Sequence, residues 1–284
     1  MLNLPIIDTH LHLCDYENIT YPWIEEIPAL QRSFLLDDYD RACGTVTVEK
    51  MVFVQYECDP PQYKDEIAFV TSVAQKDPRL SGMVAWAPLE KGDAVKTELE
   101  ELRPNALIKG IRRIIQFEED IKFCLQPDFV KGVQLLADFD WSFDICIYHP
   151  QMANTIQLVK QCPNVQFILD HIGKPDIKNH LLQPWDNEIQ QLAEFENVAC
   201  KVSGIITEAD HDNWKKEDLK PYFDHVIDCF GIDRVMFGGD WPVVTLAGSL
   251  QDWLETLEWA VTGFSQDEIK RLFCDNAKRF YRIN

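Results

Sequence analysis

Residues 6–13 read IIDTHLHL. The run opens on β-branched apolar residues and closes on two imidazoles, His10 and His12. In a strand, side chains two positions apart share a face, so His10 and His12 point the same way, with Asp8 behind them. A solvated strand end accounts for one such imidazole. Whether it accounts for this pair depends on how the chain's other strands end.

Seven more apolar, β-rich segments follow: KMVFVQYE (50–57), LSGMVAWAP (80–88), LIKGIRRI (107–114), SFDICIYH (142–149), VQFILDH (165–171), VACKVSG (198–204) and RVMFGGDW (234–241). Amphipathic helical patterns lie between them. One has Ile67, Val70, Val73 and Ala74 on a single face and stops at Pro78. Another opens with Pro127 at the first helical position. A third begins with Ser265 and Glu268 in capping-box spacing. Strand and helix in alternation give parallel βα units. Eight such units in 284 residues fit a single-domain α/β protein spanning 1–284, a closed (β/α)8 or TIM barrel. The competing architecture, an open doubly wound sheet, usually turns out of its first strand through glycines, and THLHL has none. A long aromatic segment at about 14–40, containing YPWIEEIPALQRSF, reads as a substrate loop at the barrel's carboxyl-end face.

Chemistry on this fold collects where the strands end. Strand one ends with His10 and His12, strand two carries Gln55 and Glu57, and strand four has Arg112 and Arg113. Strand five ends with His149, strand six with His171, and strand eight with Asp240 and Trp241. Four of the seven histidines therefore stand at strand ends, which a solvated-end account does not explain. Gathered around one mouth, His10, His12, His149 and Asp240 make a site for one divalent cation, Zn2+ or Mn2+. Asp240 is also placed to hold an attacking water. Lys201 lies in an otherwise apolar strand and is costly to bury against helices. It is expected at the mouth, tethering Asp240 or substrate, or else in an ion pair behind the site; Gln55 reads the same way.

Composition narrows the partners. The net charge is −20, which opposes nucleic acid and anionic membrane surfaces. No apolar run reaches the roughly 18 residues a membrane span needs. MLNLPIID has no basic region or cleavage motif, and the nine cysteines include no CxxC pair, so reduced thiols in a cytoplasm are expected. A homo-oligomer is compatible with all of this.

The ordered set DTHLH, YH, LDHIGKP and GGDWP resembles the amidohydrolase superfamily. With YPWI, KGIRR and CKVSG it resembles that superfamily's lactonases of sugar acids and of 2-pyrone-4,6-dicarboxylate, over nearly the whole chain. The resemblance implies that His10, His12, His149 and Asp240 line a metal position and that His171 lies close to the reacting carbonyl. It further implies that Arg112 contacts substrate and that Trp23 and Trp241 shape the pocket. Lys109 stands before Gly110, earlier than the bridging lysine of binuclear members, which argues for one metal. The expected reaction is the opening of a small lactone by water, with Asp240 as base and His171 stabilising the oxyanion. Two other reactions stand beside it: a metal-dependent decarboxylase on the same scaffold, and hydrolysis of a pyrone dicarboxylate. A non-catalytic barrel fits less well, since no ligand position is lost.

Overall fold

The computed structural model describes residues 4–283. Its eight strands are β1 (Ile6–Leu11), β2 (Val48–Val54), β3 (Leu80–Ala85), β4 (Ile108–Ile111), β5 (Ser142–Ile145), β6 (Phe167–Leu169), β7 (Val198–Val202) and β8 (Val235–Phe237). They pair in parallel and in chain order. The ends meet: the Asp240 N–H donates to the His10 carbonyl at 2.7 Å and the His12 N–H to the Trp241 carbonyl at 2.8 Å. Helices fill the intervals, among them Tyr63–Lys76, Pro127–Leu135, Met152–Gln161 and Lys216–Phe230. Pro127 opens its helix, and Ser265 and Glu268 form the reciprocal cap. The expected single-domain (β/α)8 barrel is the fold. No helix among the described residues is long and apolar enough to cross a membrane.

The core has two layers. Ile7, Val52, Val54, Val84, Ile168 and Met236 cluster inside the ring, with Phe280 and Tyr281 of the last helix closing the end where the strands begin. Ile6, Leu11, Met51 and Phe53 belong to the layer beneath the helices. Regular alternation from an inward Ile7 would turn His10 outward. A bulge in β1 prevents this: Asp8 pairs with Met51 and Leu11 with Phe53, three steps against two. Bulges of this kind re-aim side chains beside active sites. His10 and His12 are thereby turned into the ring. Asp8 does not stand behind them but faces outward, accepting from the Tyr39 hydroxyl and the Gly239 N–H, both at 2.8 Å.

The long segment after β1 ends earlier than expected, because a helix begins at Leu36 rather than near Asp40. Between them the chain makes two 3-10 turns, Pro22–Ile24 and Pro28–Leu30. Cys14 and Phe34 exchange both backbone hydrogen bonds, at 3.0 and 3.1 Å. The Trp23 indole N–H donates to the Tyr56 carbonyl at 2.7 Å. These contacts make the segment a fixed wall.

Behind that wall Glu66 is buried and accepts the Tyr56 N–H at 3.0 Å. Burial pushes its carboxyl up to about 8, against the pull of that N–H. An unfolded glutamate titrates near 4.3. Between these values the unfolded chain binds fewer protons than the native one, so native stability falls as pH rises and levels off above about 8. Glu66→Gln keeps an acceptor for Tyr56 and removes the ionisation. We expect it to raise the stability at pH 8–9, by on the order of a few kcal/mol at most, and with it the melting temperature, and to leave both nearly unchanged at pH 5. Melting curves across that range check the sign.

Candidate active site

The carboxyl ends of the strands open into a cavity of about 490 Å³. His12, His171 and Asp240 lie at its floor, each less than 5% exposed. One Asp240 oxygen is 3.5 Å from His12 Nε2 and 3.7 Å from His10 Nε2, and the other is 3.9 Å from His171 Nδ1. Four residues from β1 and the ends of β6 and β8 thus surround one point.

The sequence permits this crowding through glycine at close approaches. A Cβ on Gly204 would stand 2.5 Å from His171 Nδ1, and one on Gly238 2.8 Å from the His10 Cβ. His171, Lys174, Asp240 and Glu57 all have positive φ, near 50°, and all line the cavity. Such conformations cost on the order of 1–3 kcal/mol each and gather at functional sites.

Hydrogen bonds set the tautomers. His12 Nδ1 lies 2.7 Å from the Val54 carbonyl, which can only accept, so Nδ1 carries the proton and Nε2 presents a lone pair. The Arg112 guanidinium, which can only donate, is 3.2 Å from His10 Nε2. His10 therefore accepts the Arg112 N–H at Nε2 and directs Nδ1–H at Asp170, 3.4 Å away. Burial lowers the basicity of both imidazoles and brings His171 down to about 4, so all three are neutral at pH 7. Burial pushes the Asp240 carboxyl up, but His171, His12 and His10 outweigh it and hold Asp240 below the usual carboxylate range.

The free His12 lone pair and a carboxylate oxygen thus converge, and the His10 lone pair beside them, which accepts from Arg112 here, would be available to an ion once that N–H turned away. In a tetrahedral shell with bonds of about 2.0–2.2 Å, neighbouring ligand atoms stand about 3.3–3.6 Å apart. The 3.5 and 3.7 Å separations here are close to that, so His10, His12 and Asp240 suit a divalent cation. The Asp170 carboxylate behind His10 is the outer partner that metal-binding imidazoles commonly have.

Behind the floor, inside the ring, lies a charged network. Lys201 Nζ is 2.7 Å from Asp144 and 2.9 Å from Asp170, and Arg112 is 3.1 Å from Asp170. Tyr281 donates to Asp144 at 2.5 Å. Burial raises the Asp170 carboxyl, yet Lys201, His10 and Arg112 together bring it well below its ordinary range.

Several expected site residues are not brought to the cavity. β5 ends at Ile145, four residues before His149, which opens a 3-10 turn, is half-buried and lines an adjoining groove with Asp176 and Lys178. It is not part of the His10–His12–Asp240 cluster. Lys201 is fully buried and pairs with Asp144 and Asp170 instead of reaching Asp240 or the cavity. Gln55 is buried too, with its amide donating to Glu57 at 2.8 Å. Trp241 packs edge-on against Phe34 and Tyr39, outside the cavity lining. Arg112 and Trp23 do line it, but Arg112 spends its fork on His10, Asp170 and the Gln55 carbonyl. Residues the sequence did not single out as site groups complete the lining: Tyr56, Tyr148, Glu208 and Phe117. Asp144 and Asp170 had a signal, since each is an acid set in an apolar strand segment.

Comparison with known proteins gives the family. Residues 7–283 match the family model described as Amidohydrolase. The L-fucono-1,5-lactonase of Burkholderia multivorans (strain ATCC 17616 / 249) is 30% identical, over 98% of this chain and 96% of that protein. The L-rhamnono-gamma-lactonase of Scheffersomyces stipitis is 23% identical over the full length of both. A crystal structure of an amidohydrolase from Burkholderia multivorans with bound zinc has a TM-score of 0.90 at 28% identity, covering 99% of this chain and 100% of that one. With the family model spanning nearly its whole length, this chain belongs to the amidohydrolase family.

Proposed function

We propose that this protein hydrolyses a small lactone, of the sugar-acid type, at the cavity floor. One observation carries the reading: an ionised Asp240 faces three neutral imidazoles within 3.5–3.9 Å at the bottom of the cavity. The lactonase names of two relatives support it.

His10, His12 and Asp240 would hold one divalent ion, for which Zn2+ suits two nitrogens and an oxygen. When bound, such an ion acidifies water and polarises a carbonyl. Asp240 accepts a proton from the water as its oxygen forms a bond to the lactone carbonyl carbon. His171 Nδ1 is 2.9 Å from the Ser203 hydroxyl. With that hydroxyl donating, His171 directs Nε2–H at the carbonyl oxygen as negative charge develops there. The ring C–O bond then breaks, and Asp240 returns its proton to the departing alkoxide. Trp23 and the wall formed by residues 12–35 seat the ring, and Arg112 fixes His10 and Asp170 instead of gripping substrate.

A pH-indicator assay of neutral aldonolactones, with and without a chelator and alongside elemental analysis, tests the reading. We expect acid release, about one equivalent of divalent metal per chain, and loss of both on chelation. The His10→Ala/His12→Ala protein should lose the metal. Carbon dioxide release from a carboxylated substrate, with no lactone opened, would replace this reading by decarboxylation.

A further inference from the structure

We infer that Lys174 and Glu208 form a hydroxyl-binding subsite on the cavity wall: one ring hydroxyl of the substrate bridges them, accepting from the ammonium and donating to the carboxylate. The inference rests on the lactone-hydrolase reading for the ring that carries the hydroxyl, and its binding component is measured apart from turnover.

Both residues line the cavity and also the adjoining groove, so they stand where the two meet. Lys174 lies three residues beyond His171 in a left-handed conformation, and its backbone N–H donates to the His171 carbonyl at 2.9 Å. Glu208 closes the 3-10 turn Ile206–Glu208 beyond β7, and its backbone carbonyl accepts the Lys178 N–H at 3.0 Å. The loops after β6 and β7 are thereby tied together beside His171. Lys174 Nζ donates to the Gln116 side-chain oxygen at 2.8 Å and lies 5.3 Å from the centre of the Tyr148 ring. An ammonium carries three donors, so more than one remains for a ligand. The Glu208 carboxylate accepts no hydrogen bond from any described residue. Glu57, the other carboxylate on the wall, already accepts the Gln55 amide at 2.8 Å.

The spacing of the pair selects the ligand. Lys174 Nζ is 4.0 Å from the nearer Glu208 oxygen, beyond the length of a hydrogen bond. One oxygen atom about 2.8–2.9 Å from each spans that gap at an angle of about 90°. Only a group that accepts and donates through a single atom completes both bonds, and an alcohol does so. An ether oxygen leaves Glu208 without a donor, and a methylene leaves both partners unserved. A carboxylate gains Lys174 but is repelled by Glu208. Sites built to hydrogen-bond a substrate hydroxyl reject analogues that lack it, because the polar partners are then left unpaired. Lys174 caps the turn that carries His171. A hydroxyl seated here therefore sets the ring in register with the group placed to receive the carbonyl oxygen.

The test uses an unreactive six-membered lactam of a hexonic acid, together with its single deoxy and single O-methyl derivatives at C2, C3 and C4. Binding is read by calorimetry, and opening of the matching lactone by acid release. At one ring position, both changes should weaken binding to the native protein by about 10–10²-fold. Glu208→Leu and Lys174→Met should each reduce that penalty to within about threefold and leave the other positions as they are. Glu208→Gln, which keeps an acceptor, should retain part of it. The Lys174→Met/Glu208→Leu protein should differ little from either single variant, because both residues act on one oxygen. Glu208→Gln decides the matter if the apolar variants do not fold. Penalties unchanged within about twofold at all three positions in the folded variants would overturn the subsite and leave the pair as a water-bridged ion pair, whether or not lactones are opened. A penalty that the variants abolish, with no lactone opened by the native protein, would keep the subsite and discard the hydrolase reading.

Discussion

Asp240→Asn should lower kcat on a neutral aldonolactone by at least about 10³-fold while the protein stays folded. Removing a positioned general base typically costs 10²–10⁴-fold, and this substitution also weakens one of the three groups suited to the ion. Asparagine matches aspartate in size and tolerates the left-handed backbone at this position, where φ is 54°. The His10 carbonyl keeps its bond from the backbone N–H of residue 240, at 2.7 Å, so the closure between β1 and the end of β8 survives. The loss should therefore appear in turnover, with KM and melting temperature close to those of the parent. A kcat within tenfold of the parent's would remove Asp240 from the proton transfers.

Lys201→Met should be the most destabilising single change in the barrel interior. It leaves Asp144 and Asp170, both fully buried, without the ammonium that lies 2.7 and 2.9 Å from them. Breaking one partner out of a buried ion pair costs about 3–5 kcal/mol. For a chain of this size that is roughly 6–15 °C in melting temperature. The contrast is with Lys64 and Glu101, 2.7 Å apart but 53% and 55% exposed, where Lys64→Met should leave the melting temperature close to the parent's. The Lys201 variant should recover part of its loss at acid pH, where a neutral carboxyl replaces an unpaired carboxylate. Equal melting temperatures for the two variants would show that the network contributes nothing to stability.

Much of this was readable from the sequence, for identifiable reasons. Parallel strands buried on both faces leave apolar runs that stand out between helical patterns, so all eight strands could be placed. The imidazoles of His10 and His12 were legible because a spacing of two has one meaning in a strand. What the pattern did not carry was phase and extent. Nothing in DTHLH announces the bulge that turns Asp8 outward. SFDICIYH reads as one strand, but β5 leaves the sheet at Ile145, and His149 goes with the turn. Lys201 was expected at the mouth because an unpaired buried lysine is so costly. Its partners, Asp144 on β5 and Asp170 just past the end of β6, come within reach only through the side-by-side pairing of β5, β6 and β7. Glu208 sits in a loop turn with no periodicity, so its place on the wall follows from the fold alone.

The central claim is that one carbonyl sits among His12, His171 and Asp240. A crystal structure with the unreactive lactam of a sugar acid tests it most directly. The account predicts the lactam carbonyl oxygen within hydrogen-bond distance of His171, and a water held by Asp240 about 3–3.5 Å from the carbonyl carbon. A lactam ordered in the neighbouring groove beside His149, with the Asp240 floor left to solvent, would contradict it.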